Sequence, residues 1–149
     1  MDLIEYMGLN KDYSLPLNIF KHINISDEIT LDENTDKILS VVSHCDIIEK
    51  SLVKTPKGQS YDGSILSGLS LIINGIITTK VEYTCLIENN DYITYIFKTH
   101  FSTDLIIPYY LTSCNILLET LLDNINCIKT YNSKVFFNYD IIINCNVIF

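Results

Sequence analysis

The side chains best suited to chemistry in this 149-residue chain are its three histidines and five cysteines. His44, Cys45 and Asp46 are consecutive, so on an extended strand His44 and Asp46 face one side and Cys45 the other. An imidazole oriented by a carboxylate is half of a nucleophilic triad, but it needs a nucleophile or substrate beside it. With His22 and His100 as the only other histidines, a metal or triad site needs residues distant in sequence, which spacing alone does not place. The pair therefore reads as ordinary strand polarity, with a hydrolase built on His44 and Asp46 as the alternative.

Cys45, Cys85, Cys114, Cys127 and Cys145 never show the two-residue gap of a zinc knuckle or redox dithiol. Two readings stay open. The thiols are reduced and buried, as expected for a chain made in the cytosol, or some of them cross-link neighbouring copies. Cys145, close to the end of the chain, is the first candidate for such a link, followed by Cys114 and Cys45. Other patterns dissolve on inspection. Gly68 and Gly75 lack the Gly-Lys-Ser/Thr ending of a phosphate loop, and a strand follows them instead of a helix. Asp27-Glu28 and Asp32-Glu33 lack the spacing of a calcium loop or a glycosidase dyad. Asn24-Ile25-Ser26 is a glycosylation sequon only by chance if the chain is not secreted. No catalytic residue, cofactor site or metal site is expected, and the chain reads as no enzyme.

The elements that would hold these residues are strands. Ile23, Ile25, Ile29 and Leu31 recur at even spacing, predicting a strand. Lys37 to Lys54 reads as one long strand, with Leu39, Val41, Cys45, Ile47 and Glu49 on one side. Lys57-Gly58 and Asp62-Gly63 are turn signals. Ile65 to Ile87 is dense in Leu, Ile and Val, and Gly68 and Gly75 within it predict bulges or bends that redirect the strand, even to another sheet. Glu88 to Asp91 closes a hairpin onto Tyr92 to Phe101, whose inward set is Ile93, Tyr95, Phe97, Thr99 and Phe101. Leu105 to Leu111 is expected as a separate strand with Pro108 near an edge. From Asn115 the pattern fits a strand with Ile116, Leu118 and Leu122 on one face; a helix over Asn115 to Asp123 is the alternative. Asn132-Ser133-Lys134 turns the chain into a last strand along Phe137, Tyr139, Ile141, Ile143, Cys145 and Val147.

The expected fold is therefore all-β, an antiparallel β-sandwich or partly closed barrel in one domain, with residues 1–18 as a candidate connecting arm. Composition agrees: 48% of residues are apolar and 19% charged, which excludes disorder and a coiled coil. No apolar run reaches the roughly 20 residues of a membrane span. Asp2 and Glu5 stand where a signal peptide carries positive charge. The net charge is −8 and every basic residue is Lys, so nucleic acid and anionic membranes are unsuitable partners.

One block carries a likeness. Ser60-Tyr61-Asp62-Gly63, Ser67-Gly68-Leu69, Asn74-Gly75-Ile76 and Lys80-Val81-Glu82-Tyr83 follow one another as glycine, glycine, apolar strand, glycine and Lys-Val-x-Tyr. Leu15-Pro16 with Phe20, Phe101-Ser102-Thr103, Ile106-Ile107-Pro108 and Val135-Phe136-Phe137-Asn138 extend the pattern. In these residues the chain resembles the SPOCS domain of clostridial spore-coat morphogenesis proteins. It departs from that family at Asp32 to Asp36 and at His100-Phe101, where relatives often have proline, and in the absence of a following LysM module. The resemblance implies a non-enzymatic structural protein of the spore envelope, made in the mother-cell cytoplasm. The chain would assemble with itself through β-strand contacts into a coat layer, appendage or filament, with other spore-coat proteins as further partners. The alternative is a soluble adaptor for a different coat protein. Candidate contacts lie at the termini: Leu3, Ile4, Tyr6 and Tyr13 in the first arm, and Ile148 and Phe149 in an apolar tail from Ile141.

Overall fold

A computed structural model describes residues 17–32, 34–59, 61–63, 65–86, 92–107, 115–130 and 133–148. Six strands carry almost all of them: β1 (Leu17–Thr30), β2 (Thr35–Gln59), β3 (Ile65–Cys85), β4 (Tyr92–Ile107), β5 (Asn115–Lys129) and β6 (Lys134–Ile148). They form two antiparallel three-stranded sheets, in the orders β1-β6-β5 and β2-β3-β4. The sheets pack face to face as a sandwich, not as a closed barrel. Among the described residues there is no helix, and so none long and apolar enough to cross a membrane.

Period-two alternation explains the packing. On β6, Val135, Phe137, Tyr139, Ile141, Ile143 and Cys145 are buried, and the residues between them are not. On β3 the buried set includes Leu69, Leu71, Ile73, Ile77, Thr79, Val81 and Tyr83. These central strands give the two sheets their inner faces. The edge strands are only half-buried inwards, through Ile23, Ile25 and Ile29 on β1 and Val41, Cys45 and Ile47 on β2. Phe97 of β4 closes the core against Phe137, with ring centroids 5.0 Å apart.

The segment from Asn115 is a strand. Ile116, Leu118 and Leu122 face inward, while Leu117 and Leu121 are 53% and 59% exposed, which a helix would not permit. Several expectations are corrected. Leu39 and Glu49 are exposed because register shifts between Ile38 and Ser40, and between Ile47 and Glu49, move them off the inward row. Tyr95 is 41% exposed, unlike the rest of its predicted inward set. Lys57-Gly58 is not a turn: it pairs with Ser67 and Leu66 beside another register shift, and Gly58 has φ 128°. β4 is one continuous strand to Ile107, so no separate strand begins at Leu105. β3 stays within one sheet through both glycines, and the bulges lie on the β2 side of the pairing. Nor is the stretch from Ile141 a loose tail, because it forms the second half of β6, the central strand between β1 and β5. Residues 1–16, the hairpin loop Glu88 to Asp91, Pro108 to Leu111 and Phe149 lie outside the described residues.

Gly75 shows why that position tolerates no side chain. Its partner on β4 is Phe101, and a Cβ built on Gly75 would sit 2.2 Å from the tip of that ring. The aromatic lies over the glycine and fills the gap it leaves. Gly75→Ala should therefore destabilise the protein by about 1–3 kcal/mol through overpacking, measured by urea unfolding. Combined with Phe101→Leu, the cost should be smaller than the sum of the two single changes.

Candidate functional site

His44 and Asp46 do share a face, the outer surface of β2, with Nε2 and Oδ2 3.3 Å apart. Both side chains stand mostly in water, at 66% and 63% exposure, where such a pair contributes little. The pairing register aligns Asp46, Ile76 and His100 in one row across the sheet. His100 is thus two strands away, roughly 10 Å at ordinary strand spacing. Among the described residues, no group of three or more His, Cys, Asp or Glu is placed to hold a metal ion.

No disulfide joins the described cysteines. Cys145 is fully buried at the centre of the β1-β6-β5 sheet, so a bond from it to another folded copy requires the sandwich to open. Its nearness to the chain end is one of sequence, since it lies on the central strand of its sheet. Burial pushes its thiol pKa up, opposed by the nearby Lys50. Burial likewise raises Cys45, with a Thr120 hydrogen bond opposing and the Asp46 charge adding. Cys127 is raised by burial alone. Cys45 and Cys127 are half-buried at inward positions of edge strands, and Cys114 lies outside the described residues.

Among the described residues, a polar network that matches no sequence motif crosses the core. Ser43 Oγ donates to Thr79 Oγ1 at 2.8 Å, and Thr79 Oγ1 lies 2.7 Å from the Tyr139 hydroxyl. Thr99 Oγ1 donates to Asp27 Oδ2 at 2.6 Å. Thr79 and Tyr139 have no exposed surface. Burial raises the Tyr139 pKa, hydrogen bonds with Thr79, Ser43 and Thr99 pull it back, and the Asp27 charge adds to the rise. Five residues from β1, β2, β3, β4 and β6 thus meet in the core. At one end of the sandwich, Tyr83 donates to Asp32 at 2.9 Å, and burial plus that carboxylate push its pKa up to about 12. The only advance signal for these residues is their inward parity, which Thr99 and Tyr139 have in the alternation of their strands. A polar network that satisfies its own members binds sheets together and leaves no group poised for a substrate.

The side edges of the sandwich are blunted in the same way. Lys50 Nζ donates to the Ile116 carbonyl at 2.8 Å, Thr120 to the Cys45 carbonyl at 3.2 Å, and Lys129 to the Asp36 carbonyl at 3.1 Å, all across the β2–β5 seam. Across the β1–β4 seam, Lys21 donates to the Asp104 carbonyl at 2.7 Å. Such lysines occupy the edge acceptors that an added strand would use.

Two depressions open on the surface. One, of about 440 Å³, is lined by Ser26, Asp27, Glu28, Ile128, Phe136 and Asn138 among others. The other, about 320 Å³, surrounds Gly75 with Ile48, His100 and Phe101. Of the predicted contact residues, Ile148 ends β6, where its backbone pairs with Asn115; Leu3, Ile4, Tyr6, Tyr13 and Phe149 lie outside the described residues. No family model, curated protein or solved structure matches this chain.

The core network makes a direct prediction. Tyr139→Phe should cost about 1–3 kcal/mol, since it strips a buried partner from Thr79. Adding Thr79→Val should cost less than a second full penalty, and a double-mutant cycle in urea measures the difference. The thiols make another. Because the thiolate is the reactive form, Cys45 and Cys127 should label slowly at pH 7.5 and Cys145 only on unfolding. Peptide mapping after timed alkylation checks this.

Proposed function

We propose that the chain is a non-enzymatic building block of the spore envelope that assembles with copies of itself into a coat layer, appendage or filament. The observation that carries self-assembly is adhesive surface on both outer faces. Phe20, Leu121 and Ile128 are 67%, 59% and 64% exposed on the β1-β6-β5 sheet. On the opposite side, Val42, Ile48 and Ile96 are 61%, 59% and 60% exposed. Exposed apolar surface of this kind marks interaction sites. When it lies on two opposite sides of one molecule, a contact that does not close on itself propagates.

The placement in the spore rests on the SPOCS resemblance. The glycines that carry it have structural work to do here: Gly75 admits the Phe101 ring, and Gly68 holds φ 100° in β3.

Purified protein should form sheets or filaments under negative-stain electron microscopy, with sedimentation velocity reporting a concentration-dependent rise in size. Monodisperse monomers at all concentrations, with and without reductant, overturn the proposal. A stoichiometric foreign partner pulled from sporulating lysate by such a monomer would favour the adaptor.

A further inference from the structure

We propose that copies of the chain stack face to face, the β1-β6-β5 outer face of one on the β2-β3-β4 outer face of the next, each copy turned by half a turn about the stacking axis. This inference rests on the self-assembly reading and names the contact. Each face carries an exposed charge that the single chain leaves unmatched. Among the described residues, Glu119 on β5 and Lys98 on β4 have neither an ion-pair nor a hydrogen-bond partner. Both have apolar neighbours on the same face. Leu117 and Leu121 flank Glu119 at 53% and 59% exposure, and Ile96, 60% exposed, stands two residues before Lys98. Pressed against a wholly apolar surface, either charge would lose its water with nothing in return, so each calls for a partner of opposite sign.

The pairing registers show how the faces meet. Within one molecule β5 lies beside β2, through the Lys129 contact to Asp36 at one end and the Lys50 contact to Ile116 at the other. Across the other seam β1 lies beside β4, through Lys21 and Asp104. A half-turn about the stacking axis therefore lays β5 of one copy over β4 of the next, β6 over β3 and β1 over β2. With Glu119 seated on Lys98, the same row sets Asn144 over Thr78 and Phe20 over His44. One row further, Ile142 meets Ile76 and His22 meets the Asp46 carboxylate. One row back, Leu117 meets Ile96. Apolar groups meet apolar groups, and acids meet bases. Without the half-turn β5 lies over β2, and seating Glu119 on His44 puts Leu117 on Asp46 and Ile142 on Lys80, which buries two charges under apolar side chains.

The contact is also large enough. The β1-β6-β5 face is three strands wide and its shortest strand has 14 residues, so it measures about 15 Å by 45 Å. That flat area is close to the roughly 800 Å² that each partner gives to a standard interface. Because the two faces differ, the contact is head-to-tail and does not close. A repeated half-turn gives a straight twofold screw that rises by two sheet spacings, about 20 Å, per copy.

The test is a charge swap at two exposed positions, with thermal melting to check the fold of each variant. Lys98→Glu and Glu119→Lys each set like charges against one another at every contact. Either variant alone should lower the polymer fraction in sedimentation at least tenfold. Mixed in equal amounts, the two restore opposite charges at both kinds of junction and should co-assemble to the wild-type extent, as should the double variant by itself. Helical reconstruction of wild-type polymers should give a rise of about 20 Å with a half-turn per copy. Single variants that polymerise like wild type, a mixture that stays unassembled, or a rise set by end-to-end packing overturn this contact while leaving self-assembly standing. Wild-type protein that never assembles overturns both.

Discussion

The fold depends on one face of β3 being pressed against one face of β6. Each strand is the middle of its sheet, and each buries alternate side chains. Ile73, Ile77 and Val81 on one side, and Ile141, Ile143 and Val135 on the other, have no exposed area at all. Burial of each such side chain contributes on the order of 1.5–3 kcal/mol relative to exposure. The edge strands contribute less because half of each inner face meets solvent at the seam. Their positions follow from pairing with the central strands, and the lysine and threonine contacts to edge carbonyls secure them there.

An apolar interface of this kind tolerates sliding, and the buried hydroxyls remove that freedom. Thr79 faces Ser43 along the β2–β3 register and meets Tyr139 across the sandwich. Slipping β3 or β6 by one residue in its pairing turns Thr79 or Tyr139 to the wrong face, and sliding one sheet over the other parts the two hydroxyls and leaves each without the other. Loss of a partner in the dry interior costs about 1–3 kcal/mol, so one stacking is selected over its neighbours. Phe137, stacked on Tyr139 with 9° between the ring planes, fills the space beside the network and keeps water from competing for it.

Much of this was legible because period two is hard to mistake when it is long. The inward set of β6 and the inward face of β5 at Ile116, Leu118 and Leu122 follow from spacing alone. Where a bulge intervened the reading failed, since an extra residue leaves no mark in hydrophobicity. Leu39 and Glu49 share a parity with Val41, Cys45 and Ile47 in the sequence, but register shifts part them from that row. Gly75 signalled something irregular, but which strand carried the bulge depends on a neighbour almost thirty residues away. The core network and the larger depression were illegible for a different reason. Ser26, Asn126 and Asn138 come from three strands and converge only through register, which short-range pattern does not encode.

Backbone irregularity gathers at the β2–β3 hairpin end, where Gly58, Gly63 and Gly68 all have positive φ. A two-stranded ribbon is marginal in water without a third strand or a second layer. Among the described residues β4 pairs with β3 as far as Leu69, and Ser67 beyond it is still buried, its hydroxyl donating to the Ile107 carbonyl. The twist of the hairpin end is set locally: a register shift separates Lys54 from Lys57, Gly58 and Gly68 hold φ 128° and 100°, and the Lys57 stem lies against Gly68. Bulges of this sort bend a ribbon and re-aim its end. The bulges, all on the β2 side of the pairing, thus set the direction in which the hairpin end leaves the three-stranded part of its sheet, while the buried hydroxyl of Ser67 ties β3 to the Ile107 carbonyl.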